Sequence, residues 1–141
     1  MLFPPEPLRA IILLKIHWKM VEYARMTGES CIFCKIANKE IASRIVFEDD
    51  EALAFQDINP QAPVHVVVIS KRHIEKLTDL KESDAALAGK LILVCRDIAK
   101  TENCEGSGYR VVINTNRDAG QSVFHLHAHL LGGRRFVWPP G

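Results

Sequence analysis

Three histidines alternate with apolar residues near the end of the chain, at His125, His127 and His129. On a β-strand alternate side chains point to the same face, so this spacing predicts that the three imidazoles project together. Such rings make a poor core, because each buried ring nitrogen needs a hydrogen-bond partner. Taken alone, the run fits two uses equally well: a metal site, or a nucleophile with its supporting groups.

The segment Gly120-Gln121-Ser122 leads directly into the histidine run. Gly120 lets the backbone approach a ligand closely, while Gln121 and Ser122 bring an amide and a hydroxyl to the start of the strand. An imidazole is largely neutral at pH 7, and neighbouring donors stabilise charge on phosphoryl oxygens. The segment therefore favours nucleophilic attack on a phosphoryl centre.

Two of the four cysteines, Cys31 and Cys34, have the spacing of a redox or metal motif, whereas Cys95 and Cys104 are isolated. So few cysteines in a chain of this size indicate no disulfide framework. We therefore expect a reducing compartment, which places the protein in the cytoplasm.

The elements that must position these residues follow an α+β pattern. Strands are predicted over 44–48, 52–57, 64–70, 109–114 and 123–131. A short helix is predicted over 32–37 and a long one over 83–100, with Ser83 as its N-cap. Strands on both sides of one long helix predict a five-stranded antiparallel sheet rather than alternating βαβ units.

Length and charge restrict the class of protein. The 141 residues fit a single domain, and 18 Lys and Arg nearly cancel 17 Asp and Glu. Because a basic surplus is missing, we expect small ligands and no nucleic-acid partner. The aliphatic stretch 8–16 is too short and too charged to span a bilayer, so no membrane association is expected.

The predicted strands and helices of the α+β pattern all lie beyond residue 30. We therefore divide the sequence into an extension over 1–30 and a domain over 31–141. We expect the extension to be poorly ordered, or to precede a true start at Met20 or Met26. The alternative is a basic amphipathic helix that targets the protein to mitochondria. Its cationic residues are Arg9, Lys15, Lys19 and Arg25.

Several segments together resemble the histidine triad family, and in particular its Hint branch. The stretch from His125 to Leu131 is similar to the family signature, His-x-His-x-His followed by two apolar residues. Similar segments also occur at 31–36, 55–65, 71–74, 120–122 and 131–141, the last ending in Trp-Pro-Pro-Gly. The resemblance covers about residues 30–141 and implies the histidine triad fold, with a sheet continued across a homodimer.

The activity that the resemblance implies is that of a purine nucleoside phosphoramidase, which releases AMP or GMP from nucleoside monophosphate amides. His127 is implied as the nucleophile of a nucleotidyl-histidine intermediate. The other implied catalytic residues are His129, His65 and Ser122, and the nucleotide-binding residues are Asp57, Ile58, Phe33, Ile36, Asn114 and Gln121. The alternatives are a nucleotide-binding regulatory or scaffold protein with slow hydrolysis, and a diadenosine polyphosphate hydrolase, against which the Trp-Pro-Pro-Gly ending argues.

Structural zinc is the cofactor that the resemblance implies, since some family members carry it on two cysteines and two histidines. The corresponding residues are Cys31, Cys34, His73 and His125. Such a closed Cys2His2 set is what structural zinc prefers. His125 would then be structural, leaving two triad histidines for the phosphate. The alternative is a pair of small buried thiols without a metal.

Overall fold

The computed structural model describes residues 30–141. The predictions for the extension, apart from its last residue, fall outside this range. In the described part of the chain, no helix combines the length and the apolar character that a membrane span requires.

Five strands and two α-helices make up the fold of the described residues 30–141. The strands are β1 (Ile45–Glu48), β2 (Ala52–Gln56), β3 (Val64–Ser70), β4 (Tyr109–Val112) and β5 (His127–Gly132). The helices are α1 (Ile32–Ala37) and α2 (Ala85–Thr101). The strands lie in the order β1-β2-β3-β5-β4, and every neighbouring pair is antiparallel. The predicted α+β class, with a five-stranded antiparallel sheet, one long helix and one short helix, is confirmed.

β3, in the middle of the sheet, is buried on both faces, which explains the uninterrupted apolar run from Val66 to Ile69. On one face α2 packs against the larger core, which includes Leu126, Ala128 and Leu130. Side chains alternate along a strand, so His127 and His129 lie on the other face. There they join the smaller core under α1, formed by Ile36, Leu53, Phe55, Val67 and Ile69.

Two predicted boundaries were wrong. β5 begins at His127 rather than at 123, because the preceding segment is fixed to another loop: the N–H of Leu126 donates to the Ile74 carbonyl at 2.6 Å. Ser83 is not the N-cap of α2, which begins at Ala85 after a 3₁₀ turn. The carboxylate of Asp84 closes that turn by accepting from the Lys81 N–H.

Gly132 marks a close approach of β5 to the loop that follows α2. A Cβ added there would lie 2.7 Å from the Cys104 Sγ, whereas a Cβ at Gly89, within α2, would meet nothing within 4 Å. We predict that Gly132→Ala lowers the free energy of unfolding by about 1–3 kcal/mol, since Cys104 must shift. Gly89→Ala, the matched control, raises it by about 0.5–1 kcal/mol through helix propensity.

Urea unfolding of the two variants beside the parent protein measures both free energies. Equal midpoints for Gly132→Ala and Gly89→Ala would contradict the close packing at Gly132.

Candidate functional site

His127 stands at the first position of β5, and a backbone group fixes the orientation of its ring. Its Nδ1 lies 2.6 Å from the carbonyl oxygen of His125. A carbonyl only accepts, so the proton is on Nδ1 and the lone pair is on Nε2. Burial lowers the pKa of His127, although the His125 carbonyl opposes that shift. The ring is therefore a neutral imidazole with an unprotonated Nε2, as a nucleophile requires.

A second backbone group determines which ring nitrogens of His65 and His129 carry their protons. The N–H of Gln61 donates to Nδ1 of His65 at 3.0 Å, which leaves the His65 proton on Nε2. That Nε2 lies 2.9 Å from Nδ1 of His129, so His65 donates and His129 accepts. His129 consequently carries its own proton on Nε2. Its ring centroid is 4.9 Å from that of His127, which puts a donor group beside the predicted nucleophile.

Burial keeps both supporting histidines neutral. Desolvation lowers the pKa of His65, against the attraction of Asp57. Burial, reinforced by the neighbouring rings of His127 and His65, lowers the pKa of His129 to about 4. At pH 7 these histidines therefore act as neutral hydrogen-bonding groups rather than as cations.

Asp57 follows β2 and completes this network. Its Oδ1 accepts from the Asn59 N–H at 2.8 Å, and its Oδ2 lies 3.4 Å from Nε2 of His65. Ligand-type atoms of Asp57, His65 and His129 all lie within 4.8 Å of one another. The Gln61 N–H nevertheless holds a proton on the His65 nitrogen that faces the group, and a protonated nitrogen is not a metal ligand. The His65 proton is donated to His129, and the Asp57 carboxylate lies beside this pair.

The structure brings together the four residues predicted as metal ligands, Cys31, Cys34, His73 and His125, with their ligand atoms within 4.8 Å of one another. His125 is fully buried, and its Nε2 donates to the Ser70 carbonyl at 2.6 Å. Its lone pair is therefore on Nδ1, which faces the sulfur atoms. Burial lowers the pKa of His125 to about 4, which favours the neutral ring that a metal binds. The cluster can hold a metal ion.

The buried side chain of Gln121 holds the loop between β4 and β5 in place through hydrogen bonds to the backbone. Its Nε2 donates to the carbonyls of Glu75 at 2.8 Å and Val123 at 3.2 Å, while its Oε1 accepts from the Asn116 N–H at 2.9 Å. The predicted phosphate contact through this amide would compete with these bonds. The adjacent Ser122 is exposed.

Asn114 lies two residues beyond β4. β4 pairs Val112 with His129, so continuing the same register places Asn114 opposite His127. The half-buried Asn114 is therefore near the nucleophile, as its predicted role requires.

The three apolar residues predicted to line a purine slot occupy different environments. Phe33 packs edge-on against His127, with ring centroids 5.0 Å apart, and against Phe55 at 5.5 Å. Ile36 is 6% exposed and belongs to the smaller core. Ile58 is 97% exposed and is accessible to a ligand. Phe33 and Ile58 therefore fit a ligand contact better than Ile36 does.

Two residues of the site were missed by the sequence analysis, Gln61 and Ser70. Both act through backbone groups that set histidine tautomers, one as a donor and the other as an acceptor. Residue type carries no signal for such a role. The only available sign was the loop with prolines at 60 and 63, which restricts the backbone around Gln61.

Known proteins resemble the chain in sequence and in structure. Residues 38–136 match the model of the HIT domain. An uncharacterised HIT-like protein of Synechocystis is 50% identical over 81% of this chain and 99% of its own, and one of Synechococcus elongatus is 51% identical with the same coverage. A HIT family hydrolase from Legionella pneumophila has a TM-score of 0.78 and 47% identity, covering 79% of this chain and 99% of its own. A histidine triad protein from Clostridium difficile has a TM-score of 0.74 and 44% identity, covering 77% and 94%.

The lowered pKa of His129 predicts acid sensitivity. An unfolded histidine titrates near its ordinary pKa of about 6.5, whereas the folded His129 titrates at about 4. Between these values the unfolded state binds more protons, so stability is full above about pH 6.5 and falls as the pH drops towards 4. We predict that His129→Asn, which keeps an acceptor for His65, loses less stability than the parent protein between pH 7 and pH 5. Urea unfolding at both pH values tests this, and equal losses would contradict it.

Proposed function

The chain belongs to the HIT domain family, and we propose that it is a purine nucleoside phosphoramidase of the Hint branch, releasing AMP or GMP and an amine. The observation that carries the proposal is the neutral His127 with its lone pair on Nε2 beside the donor ring of His129. The similarity to a HIT family hydrolase of Legionella pneumophila supports hydrolysis as the reaction type. The choice of phosphoramidates rests on the Hint-type segments, including Trp138-Pro139-Pro140-Gly141.

The proposed reaction has two displacements at phosphorus. In the first, Nε2 of His127 attacks, a phosphorus–nitrogen bond to the ring forms, and the bond to the amine breaks. In the second, water attacks the same phosphorus and the bond to His127 breaks, releasing the nucleoside monophosphate. Imidazole suits this route because it is both a nucleophile and a leaving group. The His125 carbonyl stabilises the positive charge that the ring gains in the intermediate.

The surrounding groups have separate proposed roles. His129 directs its Nε2–H to a phosphoryl oxygen, and His65 supports it from behind by donating to Nδ1. Asn114 donates to another phosphoryl oxygen. The exposed hydroxyl of Ser122 donates to the leaving nitrogen, which must gain a proton as it departs.

Recognition of the nucleotide is proposed to involve residues at the ends of β2 and α1. Asp57 accepts hydrogen bonds from the ribose hydroxyls, for which an ionised carboxylate has sufficient acceptor sites. Ile58, Phe33 and Ile36 provide apolar contacts to the purine, with Ile58 the most accessible of the three. Gln121 contributes by holding the loop that carries Ser122.

Zinc is the proposed occupant of the Cys/His cluster. Around tetrahedral zinc, with bonds of about 2.0–2.1 Å to nitrogen and about 2.3 Å to sulfur, two nitrogens lie about 3.3 Å apart, a nitrogen and a sulfur about 3.5 Å, and two sulfurs about 3.8 Å. Nδ1 of His125 lies 3.4 Å from the Cys31 Sγ and 3.5 Å from the Cys34 Sγ, while Nδ1 of His73 lies 3.3 Å from the Cys34 Sγ and 3.2 Å from Nδ1 of His125. Each of these four distances is within about 0.3 Å of the tetrahedral value.

A homodimer is proposed as the assembly. β4 is an edge strand and presents unpaired backbone groups, which a second copy can pair to continue the sheet. Val137 and Trp138 of the C-terminal segment are 73% and 84% exposed, and we place this segment near the partner's site. Sedimentation of dilute protein tests this assembly, and a strict monomer would exclude it.

Replacement of the nucleophile tests the proposed activity. With an adenosine phosphoramidate as substrate, we predict that His127→Ala lowers turnover by at least about 10³-fold, as loss of a covalent nucleophile does. His127→Gly should regain part of the activity when imidazole is added. AMP binding by both variants serves as the control for an intact pocket.

Two other outcomes would redirect the proposal. Tight AMP binding by the parent protein without turnover would favour a binding or scaffold role, and faster cleavage of a diadenosine polyphosphate would favour the other hydrolase branch. Full activity in His127→Ala would exclude this nucleophile.

The metal content of purified protein tests zinc separately. We predict about one equivalent of zinc after dialysis, as a complete Cys2His2 set binds. Cys34→Ser should lose the metal because it lacks a thiolate ligand, whereas Cys95→Ser should retain it because Cys95 lies in the larger core. Similar zinc contents in the two variants would contradict the assigned ligands.

A further inference from the structure

His125 links the Cys/His cluster to the nucleophile. Its ring contacts both thiols, with Nδ1 lying 3.4 Å from the Cys31 Sγ and 3.5 Å from the Cys34 Sγ. Its backbone carbonyl accepts the hydrogen bond from Nδ1 of His127 at 2.6 Å. Displacement of His125 by a change at the two sulfur atoms therefore also moves the group that orients the nucleophile.

The two cysteines differ in access to solvent. Cys31 is partly exposed at the start of α1, and Cys34 is buried behind it. Their sulfur atoms lie within 4.8 Å of each other. Cys95 and Cys104 are buried in the larger core on the opposite face of the sheet. An oxidant in solution therefore reaches Cys31 first, with Cys34 next to it as the second thiol.

We propose that Cys31 and Cys34 form a thiol–disulfide switch that inactivates His127 on oxidation. This inference rests on the proposed function in that it takes His127 as the nucleophile. It goes beyond that function by assigning a modification site and a regulation. The oxidant is a peroxide, which accepts the two electrons that disulfide formation releases.

The step proceeds in two displacements. The Cys31 thiolate attacks a peroxide oxygen, the oxygen–oxygen bond breaks, and hydroxide leaves, which gives a sulfenic acid on Cys31. The Cys34 sulfur then attacks the Cys31 sulfur, the sulfur–sulfur bond forms, and the leaving hydroxide takes the proton of the Cys34 thiol as water. The two sulfur atoms together lose two electrons, and one hydrogen peroxide is reduced to water and hydroxide, the latter taking the proton that Cys31 released on ionising. A metal ion held by the cluster leaves to solvent when its two sulfur ligands are lost.

Disulfide formation changes the surroundings of His125. The sulfur atoms must approach to about 2.05 Å, which moves them from their positions around Nδ1 of His125. The same sulfur atoms no longer serve as thiolate ligands, so the disulfide and metal binding exclude each other. His125 then loses its contacts with the two sulfur atoms and keeps the Ser70 carbonyl as the partner of its Nε2. In the proposed switch the ring shifts about this bond, and the His125 carbonyl moves away from Nδ1 of His127. A displacement of about 1 Å at a reacting group costs about 10²-fold in rate.

Titration of the purified full-length protein with hydrogen peroxide tests the switch. Counted in denaturant with a chelator, so that metal-bound thiolates are included, the free thiols should fall from four to two, with peptide mapping placing the disulfide between Cys31 and Cys34. Phosphoramidate turnover should fall about 10²-fold in parallel and recover with dithiothreitol. In the same samples, the ¹⁵N signals of the His127 ring should shift on oxidation and return on reduction.

Two variants provide the controls. Cys95→Ser, matched in chemistry but outside the cluster, should keep the full response to peroxide. Cys31→Ser should lose the response at whatever turnover it begins with, because it lacks the thiol that reacts first. If Cys31→Ser does not fold, thiol mapping and the His127 signals of the parent protein still decide the matter.

The outcomes separate the switch from the activity. Four free thiols after peroxide treatment, or a mapped Cys31–Cys34 disulfide with unchanged turnover and unchanged His127 signals, would overturn the switch. A reduced protein without phosphoramidate turnover would refute the proposed function alone, because the thiol count and the His127 signals report on the switch independently.

Discussion

The hydrogen bond from Nδ1 of His127 to the carbonyl oxygen of His125 is the constraint on which the site depends. It leaves only Nε2 to react, since a neutral imidazole carries one proton and the carbonyl holds it on the other nitrogen. It also ties the ring to the backbone immediately before β5, where the chain has not yet entered the sheet. The chemistry of the nucleophile therefore depends on the conformation of one residue, and that residue is itself held by the Cys/His cluster.

Two further backbone groups, the Ser70 carbonyl and the Gln61 N–H, determine which nitrogen of His125 and of His65 carries the proton. The Ser70 carbonyl turns the lone pair of His125 towards the thiols, which leaves a cluster that can hold a metal ion. The Gln61 N–H does the opposite for His65, because it fills Nδ1 and directs an N–H towards His129. In each cluster a single backbone hydrogen bond thus decides whether a histidine presents a lone pair or an N–H to its neighbours. The antiparallel pairing of β3 with β5 keeps both clusters on one face of the sheet.

The sequence predicted the parts of the molecule that depend on local patterns. The alternation from Leu126 to Leu130 correctly placed apolar side chains on one face and histidines on the other, and the run at 64–70 correctly predicted β3. Tertiary contacts decided the rest. The Leu126 N–H donates to the Ile74 carbonyl, so β5 begins only at the next residue. Before α2, the turn is closed by Asp84 rather than by Ser83.

The sequence predicted which polar residues the fold brings close together, but not which ring nitrogen of each histidine carries the proton. Residue types and the family resemblance identified His65, His127 and the four cluster residues, which the fold brings to adjacent positions. Tautomers depend on backbone partners such as Gln61 and Ser70, which no side-chain pattern reveals. The burial of single residues was not predictable either: Ile36 lies in the core and Ile58 on the surface, although both are isoleucines in segments that resemble the histidine triad family.

Long-range ¹H–¹⁵N correlation of the imidazole nitrogens at pH 7 tests the central claim most directly, because it reports which nitrogen of each ring carries the proton. For His127 the account predicts a protonated Nδ1 and an unprotonated Nε2, and for His65 the reverse. A proton on Nε2 of His127 would contradict the account, since the lone pair would then be on Nδ1, which faces the His125 carbonyl, and Nε2 could not attack phosphorus.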